Sequence, residues 1–336
     1  MTPHAQRQPR VLIGPSSFDR EGPGARQLLL AAGCEIVSNP TGATLTEDAL
    51  IAMIGDVDAH IAGTEPVTAR VLDAAPRLRI VARRGVGTDS VDIPAATARG
   101  VVVTITAGVL TDAVADHAMG LLLAVARQIP RLDRLVKAGG WDRSPAMDIT
   151  GKTLGIVGFG AIGRAVARRA AAFGMRILAH DAFPDAAAAA SLGVALCDLA
   201  MVLAESDFVT IHVPLLPVTR GLIGEAALRR MKPSAVLINT SRGPVVDEAA
   251  LLAALREGRL AGAGLDVFHN EPVKDLTLVS LDQVVATPHV ASHSRETMVR
   301  VERSCAEAVL AVLRGERPRH AVNAEVYDRL PARPKP

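Results

Sequence analysis

Three polar residues in the second half of the chain follow short apolar runs, and their types point to one reaction. Arg242, Glu271 and His289 each come just after such a run. An Arg guanidinium binds a carboxylate through two parallel hydrogen bonds. A His can donate a proton near neutral pH, and a Glu beside it favours the protonated imidazole. These groups suit the reduction of a 2-keto acid, in which the His protonates the developing alkoxide while a nicotinamide supplies hydride.

Each of the three residues taken singly has a plainer explanation. A lone His289 is more often a satisfied surface or core histidine, Arg242 a solvated charge, and Glu271 a loop charge or cap. Parallel strands place their carboxyl ends at one edge of a sheet, where open α/β sheets bind ligands. Three such residues at successive strand ends therefore favour a catalytic set.

A glycine-rich turn precedes these residues. Gly158 permits a tight turn, Gly160 lets the main chain approach a pyrophosphate, and Gly163 lets the following helix pack on the strand. A strand-like run at 153–157 enters the turn and an Ala-rich helix leaves it, which is the context that this motif requires. The predicted cofactor-binding turn comprises Gly158, Phe159, Gly160, Ala161, Ile162 and Gly163.

An acidic residue, Asp181, ends the next predicted strand, 18 residues after Gly163. A carboxylate there accepts hydrogen bonds from the adenosine ribose and repels a 2′-phosphate, so the sequence favours NAD over NADP. Two alternatives remain open: another adenosine ligand such as S-adenosylmethionine, or glycines that only turn the chain, with Asp181 as a cap.

The elements that must position these residues alternate between short β-branched runs and Ala/Leu-rich helical stretches. Nearly continuous apolar runs are typical of parallel strands covered on both faces, and this alternation predicts a doubly wound α/β fold. A long helical stretch near 111–137, broken near Pro130, separates two series of alternating strands and helices. The predicted strands are residues 11–14, 35–38, 59–62, 79–82 and 101–104, then 153–157, 176–180, 208–212, 235–239, 262–266 and 284–286.

Composition narrows the classes of function. The chain has 336 residues, of which 49% are hydrophobic, with six Phe, one Tyr and one Trp. Few aromatic residues argue against base-stacking surfaces, and a net charge of +2 gives no reason to expect a nucleic acid or a membrane. Three widely spaced Cys and a polar segment at 1–10, unlike a secretory signal, predict a cytoplasmic protein.

The chain resembles the D-isomer-specific 2-hydroxyacid dehydrogenases along residues 10–323. The resemblance implies that His289 is the acid/base, Glu271 its partner and Arg242 the substrate anchor. It also implies that Asp266 holds the nicotinamide amide and that the main-chain amides of Val86 and Gly87 receive the substrate carboxylate. The matching segments are residues 85–89, 109–112, 158–163, 239–243, 264–268 with 271–272, and 287–289. The further cofactor-binding residues of this assignment are Thr111, His212, Val213, Pro214, Thr219 and Thr240.

The resemblance also implies the domain organisation. A Rossmann cofactor domain, 108–289, would be inserted into a flavodoxin-like substrate domain, 1–107 with 290–336, with the active site in the cleft. The helix near 111–127 would form a homodimer interface. Trp141 would, as in some relatives, reach the neighbouring subunit's site. The implied activity is that of an NAD-dependent oxidoreductase on 2-hydroxy acids, with glyoxylate, hydroxypyruvate, phosphohydroxypyruvate and larger keto acids all open.

Several residues keep two explanations. Arg83 and Arg84 either form ion pairs, or Arg83 binds a second anionic group of the substrate. His117, on an apolar helix, is a packed or interface histidine. His293 follows His289 by four positions, but His289 precedes the helix, so no metal site is predicted.

Two other functions compete with the enzyme. One is an NAD-sensing, corepressor-like interaction protein of the same family, which also retains an Arg, Glu and His set but typically carries extra partner-binding segments. The other is a methyltransferase, which leaves Arg242, Glu271 and His289 unexplained.

Overall fold

The chain divides into two units. The structure, a computed structural model, describes the main chain of residues 7–329 and the side chains of residues 7–328. One unit comprises the chain up to Leu110 together with the part from Ser294 on, and the other is Thr111–His293. The resemblance places the domain boundaries between residues 107 and 108 and between residues 289 and 290. The expectation about a secretory signal concerns residues 1–10, and residues 1–6 lie outside the described part.

The first unit contains a five-stranded parallel sheet with strand order β2-β1-β3-β4-β5. In β1, Val11 pairs with Ile36 of β2 on one side and with Ala59 of β3 on the other. This order is that of flavodoxin-like doubly wound sheets, as the family resemblance implied. The strands are β1 (Arg10–Ile13), β2 (Glu35–Ser38), β3 (Ala59–Ala62), β4 (Ile80–Arg83) and β5 (Val102–Thr104).

Alternate residues of β1 enter two aliphatic cores, one on each face of this sheet. Val11 and Ile13 belong to one core and Leu12 to the other. Helices cover both faces, which is why the strands read as continuous apolar runs. The helices of this unit are α1 (Gly24–Ala31), α2 (Glu47–Ile54), α3 (Ala69–Asp73), α4 (Ile93–Ala98), α12 (Arg295–Leu313) and α13 (Val326–Arg329).

The second unit contains a seven-stranded parallel sheet with order β12-β11-β10-β9-β6-β7-β8. Because β6 lies between β7 and β9, the order reverses beside β6, and ligands bind at such a reversal in open α/β sheets. The order is that of a Rossmann sheet with a seventh strand. The strands are β6 (Thr153–Val157), β7 (Arg176–His180), β8 (Ala195–Leu196), β9 (Phe208–Ile211), β10 (Val236–Asn239), β11 (Gly262–Leu265) and β12 (Val284–Ala286).

The long helical stretch breaks two residues before the predicted point. The first helix ends at Ala126, and Gln128 adopts a left-handed conformation with φ of 53°. Pro130 lies in the first turn of the next helix, where its missing N–H removes no helical hydrogen bond. The helices of this unit are α5 (Thr111–Ala126), α6 (Ile129–Lys137), α7 (Ala161–Ala172), α8 (Ala186–Ser191), α9 (Leu199–Glu205), α10 (Glu225–Leu228) and α11 (Glu248–Arg256).

Aliphatic side chains fill the cores on the two faces of the seven-stranded sheet. The aromatic members of these clusters are Phe159, Phe208 and Phe268. Tight packing by Ala, Val, Leu and Ile matches the aromatic-poor composition. Among the described residues, no helix combines the length and the apolar character that crossing a bilayer demands.

Candidate active site

The turn after β6 needs glycine at two positions. Gly158 has a φ of 99°, and a Cβ there would lie 2.7 Å from the carbonyl carbon of His212. A Cβ on Gly163 would lie 2.2 Å from the carbonyl oxygen of Gly158. At Gly160, in contrast, no described atom lies within 4 Å of an added Cβ. The turn is therefore packed on its inner side and open at Gly160, where close approach by a ligand is possible.

Asp181 follows β7 directly and lies against this turn. Its Oδ2 accepts the N–H of Phe159 at 2.6 Å, and its Oδ1 accepts the N–H of Phe183 at 2.8 Å. The carboxylate thus joins the end of β7 to the glycine turn. In dinucleotide-binding sheets, an acidic residue at the end of the corresponding strand hydrogen-bonds the ribose.

Arg164 is a neighbour of this turn that the sequence did not single out. Its Nε donates to the carbonyl oxygen of Phe159 at 3.0 Å, and its guanidinium lies 5.7 Å from the ring centroid of Phe159. Its Nη1 is 3.1 Å from Oδ2 of Asp185. Arg164 therefore connects the glycine turn to the segment that follows Asp181.

The segment after β9 borders the glycine turn through its main chain. His212 follows the strand, and its Nε2 lies 2.9 Å from Oγ1 of Thr210. Burial lowers the pKa of His212 to about 3, so the imidazole is neutral near neutral pH. Thr219 closes the next turn, because its Oγ1 accepts the N–H of Leu216 at 2.8 Å and donates to the carbonyl oxygen of Pro214 at 2.6 Å. Val213 lies between His212 and Pro214 in the same segment.

Asn239, at the end of β10, shapes the loop that carries Arg242. Its Nδ2 donates to the carbonyl oxygen of Arg242 at 2.9 Å, and its Oδ1 accepts from the N–H and the hydroxyl of Ser241. Thr240, between them, is buried, and its Oγ1 has no hydrogen-bond partner among the described residues. A buried hydroxyl without a partner is costly, which makes Thr240 a fitting contact for a bound cofactor.

The Arg242 loop packs directly on the loop that carries Glu271. A Cβ on Gly243 would lie 2.0 Å from the carbonyl carbon of Phe268, so only glycine allows this approach. Oε1 of Glu271 accepts the N–H of Phe268 at 3.0 Å. Burial raises the pKa of Glu271, but the hydrogen bonds from His289 and Phe268 and the charge of Arg242 outweigh burial and lower it below its ordinary value. Glu271 is therefore ionised near neutral pH.

His289 and Glu271 form a hydrogen-bonded pair. Nδ1 of His289 lies 2.6 Å from Oε2 of Glu271. The main chain of His289 is left-handed, with a φ of 54°, and its N–H donates to the carbonyl oxygen of Asp266 at 2.8 Å. Non-glycine residues in this region are rare and concentrate at functional sites.

The buried Asp266 carboxylate holds the loop of His289. Its Oδ1 accepts the hydroxyl of Thr287 at 2.6 Å and the N–H of Val290 at 2.9 Å, and its Oδ2 accepts the N–H of Ala291 at 2.8 Å. Burial alone would raise the pKa of Asp266. The hydrogen bonds from His117, Thr287 and the N–H groups of Val290 and Ala291 outweigh burial, so the pKa lies below its ordinary value. Asp266 is thus an ionised support of the loop.

His117, which the sequence assigned to packing or an interface, belongs to this network. Its Nε2 lies 2.9 Å from Oγ1 of Thr287 and 3.5 Å from Oδ1 of Asp266. Its position on an apolar helix gave no sign of this contact. Thr111 begins the same helix, α5, which is joined to α7 by ion pairs from Arg169 to Asp112 and Asp116.

In the first unit, Arg83 supports the loop that contains Val86 and Gly87. Arg83 is buried, its Nε donates to the carbonyl oxygen of Gly87 at 2.9 Å, and its Nη1 donates to that of Ala62 at 3.3 Å. Arg84 forms the ion pair that the sequence allowed, with Nη2 2.7 Å from Oε1 of Glu302 on α12. The two arginines thus point to different neighbours.

Comparison with known proteins identifies the class to which this site belongs. The family model described as D-isomer specific 2-hydroxyacid dehydrogenase, NAD binding domain, matches residues 119–291. The glyoxylate reductase of Korarchaeum cryptofilum (strain OPF8) is 50% identical over 285 residues, which cover 82% of this chain and 86% of that protein. The chain belongs to the D-isomer-specific 2-hydroxyacid dehydrogenase family, as the sequence motifs indicated.

Two solved structures show the same fold with different cofactors. The NADPH-dependent glyoxylate/hydroxypyruvate reductase of Sinorhizobium meliloti, in complex with NADP and malonate, has a TM-score of 0.84 and 34% identity, covering 95% of this chain and 98% of that one. The D-lactate dehydrogenase of Aquifex aeolicus, complexed with NAD and lactic acid, has a TM-score of 0.82 and 26% identity, covering 91% and 96%. The relatives are oxidoreductases of 2-hydroxy acids, and both dinucleotides occur among them.

Proposed function

We propose that this chain is an NAD-dependent D-2-hydroxyacid dehydrogenase that works as a 2-keto acid reductase. The observation that carries the proposal is the hydrogen bond between Nδ1 of His289 and Oε2 of Glu271, 2.6 Å long. It engages one ring nitrogen with an ionised carboxylate and leaves Nε2 as the proton-carrying atom for the substrate. An imidazolium oriented in this way is the acid that carbonyl reduction needs.

Glu271 orients that acid. Its lowered pKa leaves a carboxylate beside His289 at neutral pH, and a neighbouring negative charge favours the protonated imidazole. His289 then gives the Nε2 proton to the carbonyl oxygen of the keto acid as the hydroxyl forms. In the reverse direction the neutral Nε2 takes the proton back.

Arg242 is the proposed substrate anchor. It lies close enough to lower the pKa of Glu271 by its charge, and its main chain is fixed by Asn239. Its guanidinium binds the substrate carboxylate through paired hydrogen bonds. In the first unit, the main-chain N–H groups of Val86 and Gly87 are proposed to bind the carboxylate, in a loop that Arg83 supports.

The unit with the seven-stranded sheet is the proposed cofactor domain, and the other unit is the proposed substrate domain. A bound NADH supplies the hydride that reaches the carbonyl carbon. The open face at Gly160, the carboxylate of Asp181 and the partnerless hydroxyl of Thr240 suit a dinucleotide. Asp266, whose Oδ2 accepts the N–H of Ala291, is the proposed partner of the nicotinamide amide. The remaining proposed contacts are Phe159, Ala161, Ile162, Gly163, Thr111, His212, Val213, Pro214 and Thr219.

Asp181 is the basis for proposing NAD rather than NADP. Its carboxylate lies against the glycine turn, where it would accept from the ribose hydroxyls and repel a 2′-phosphate. A panel of 2-keto acids, followed by the loss of NADH and of NADPH absorbance, tests the activity and the preference together. We expect turnover of small keto acids such as glyoxylate and hydroxypyruvate with NADH, the first substrates to try given the names of the relatives.

A homodimer is proposed as the working assembly, with α5 at the interface. Apolar side chains remain exposed in the segment that follows α5, at Ile129, Val136 and Trp141, the last 82% exposed. These exposed side chains support the proposal, because the cores of homodimer interfaces are richer in apolar and aromatic groups than the rest of the surface. Light scattering coupled to size-exclusion chromatography tests the dimer, and a monomer at micromolar concentration would contradict it.

A further inference from the structure

The main chain of His289 is held in a conformation that needs support. Its φ of 54° lies in the left-handed region, which side-chain-bearing residues adopt when surrounding contacts fix them. Other residues provide that support. The N–H of His289 donates to the carbonyl oxygens of Asp266 and Thr287. The orientation of the imidazole toward Glu271 therefore depends on the residues that hold this loop.

Asp266 collects donors from almost every position of the loop. Its carboxylate accepts the Thr287 hydroxyl and the N–H groups of Val290 and Ala291, while its own carbonyl oxygen accepts the N–H of His289. The carboxylate is fully buried. A buried carboxylate with this many partners fixes its neighbours strongly, because losing any one of them leaves a polar group unsatisfied.

His117 on α5 completes this network from outside the loop. The hydroxyl of Thr287 gives its single proton to Asp266, so at Nε2 of His117, 2.9 Å away, it acts as the acceptor. Nε2 of His117 must therefore carry a proton, which also faces Oδ1 of Asp266 at 3.5 Å. The side chain of His117 is 25% exposed and has no part in the proton transfer described above.

We propose that His117 is a positioning residue for His289, acting through Thr287 and Asp266. The donated hydrogen bond orients the Thr287 hydroxyl toward Asp266, Asp266 fixes the main chain of residues 289–291, and the fixed main chain aims the imidazole of His289 at Glu271. The effect of His117 on catalysis rests on the proposed function, whereas its effect on the orientation of His289 rests on the geometry alone. It replaces the packing or interface role expected from the apolar helix.

Two substitutions separate this role from simple packing. His117→Gln keeps an N–H at about the reach of Nε2, whereas His117→Leu removes the donor and keeps similar bulk. We expect His117→Leu to lower kcat for glyoxylate about tenfold, since removing a residue that orients a catalytic group by one hydrogen bond has effects of this size. NADH affinity should stay within about twofold, as expected when only transition-state geometry is lost. His117→Gln should recover most of kcat.

Asp116→Asn is the matched control, because Asp116 lies on the same helix and pairs with Arg169 rather than with the His289 loop. It should leave kcat unchanged. Normal kcat in His117→Leu would overturn the proposal. So would an equal loss in both His117 variants together with lost NADH binding or a lowered melting temperature, which would assign His117 to packing alone.

A second readout does not depend on turnover. The imidazole resonances of His289 in the full-length protein should shift in His117→Leu and return toward the wild-type positions in His117→Gln. Unchanged resonances in both variants would overturn the positioning role. If the wild-type protein reduces no keto acid, the proposed function fails, and these resonances still decide whether His117 positions His289.

Discussion

Nδ1 of His289 lies 2.6 Å from Oε2 of Glu271, although β12 separates the two residues along the chain. Each partner is fixed independently. Glu271 accepts the N–H of Phe268, and the main chain of His289 donates to Asp266. Since β11 and β12 are parallel neighbours, the segments that follow them start at the same edge of the sheet. The pair is therefore a direct result of sheet topology.

The charge of Glu271 should support keto acid reduction throughout the neutral pH range. Glu271→Gln removes the ionised carboxylate that bonds Nδ1 of His289, so kcat should fall about tenfold or more near pH 7. The wild-type carboxylate is ionised above its lowered pKa, so this loss should be present throughout the neutral range and narrow as the pH falls through that pKa. Profiles of kcat against pH with NADH measure the loss. Glu257→Gln, which changes a surface partner of Arg259, is the control, and identical profiles for wild type and Glu271→Gln would contradict the pairing.

Asp181 should determine the choice between the two dinucleotides. Asp181→Asn keeps an oxygen that can accept from the main chain but removes the charge that repels a 2′-phosphate. We expect the ratio of kcat/KM for NADH to that for NADPH to fall about 10- to 100-fold, equivalent to about 1.4–2.8 kcal/mol. Asp198→Asn, at the N-terminal cap of α9, should not change the ratio. A wild-type preference for NADPH would refute the assignment to NAD.

Arg83 should support substrate binding through its loop. Its bonds to the carbonyl oxygens of Gly87 and Ala62 fix the segment that contains Val86. We expect Arg83→Ala to lower kcat/KM for glyoxylate and for phosphohydroxypyruvate by a similar factor, about 10- to 100-fold, because small displacements of binding groups have effects of this size. Arg70→Ala, which removes an exposed partner of Glu47, is the control. A loss confined to phosphohydroxypyruvate would instead show that Arg83 binds a second anionic group.

A buried contact between a histidine and a carboxylate in the first unit should matter for stability rather than for catalysis. Nε2 of His60 lies 3.1 Å from Oε1 of Glu65, and both side chains are almost fully buried. Glu65→Ala should lower the free energy of unfolding of this unit by about 1–3 kcal/mol, because it leaves buried polar groups, including the N–H of Gly63, without their acceptor. Glu65→Gln keeps an acceptor for the N–H of Gly63 and should cost less. Chemical denaturation measures both losses.

The contribution of Glu65 should also depend on pH. Burial raises the pKa of Glu65, but the bonds from His60 and Gly63 lower it below its ordinary value. The ionised carboxylate therefore stabilises the fold above the ordinary pKa, about 4.3, and this stabilisation disappears as the pH falls through the lower folded value. The difference between wild type and Glu65→Gln should narrow in acid. A constant difference from pH 7 to pH 3 would contradict a stabilising role of the ionised Glu65 carboxylate.

The sheets were predictable because parallel strands buried on both faces leave a clear signal. Runs such as 153–157 and 208–212 correspond to β6 and β9 within a residue. The two-residue strand β8, Ala195–Leu196, was missed because so short an edge strand carries no periodicity. The helix break was misplaced because Pro130 looks like a helix breaker in sequence, whereas the left-handed Gln128 that ends the stretch has no sequence signature.

Within the candidate site, the sequence could supply residue types but not their supports. Arg242, Glu271 and His289 stood out because charged groups after apolar strands are conspicuous. Their supports are the N–H of Phe268, which Glu271 accepts, and the network of Asp266, Thr287 and His117 that holds the loop of His289. The contact between His117 and Thr287 joins positions far apart along the chain, so only the folded geometry reveals it.

The most direct test of the proposed function compares wild type and His289→Ala in the reduction of glyoxylate and hydroxypyruvate, followed by NADH absorbance. The wild-type protein should turn over at least one of these acids, and the variant should lose at least about 100-fold in kcat, the scale of general acid catalysis. NADH binding, measured by fluorescence, should be unchanged in the variant. Near-normal turnover by His289→Ala, or no turnover of any keto acid by the wild-type protein, would contradict the proposed function.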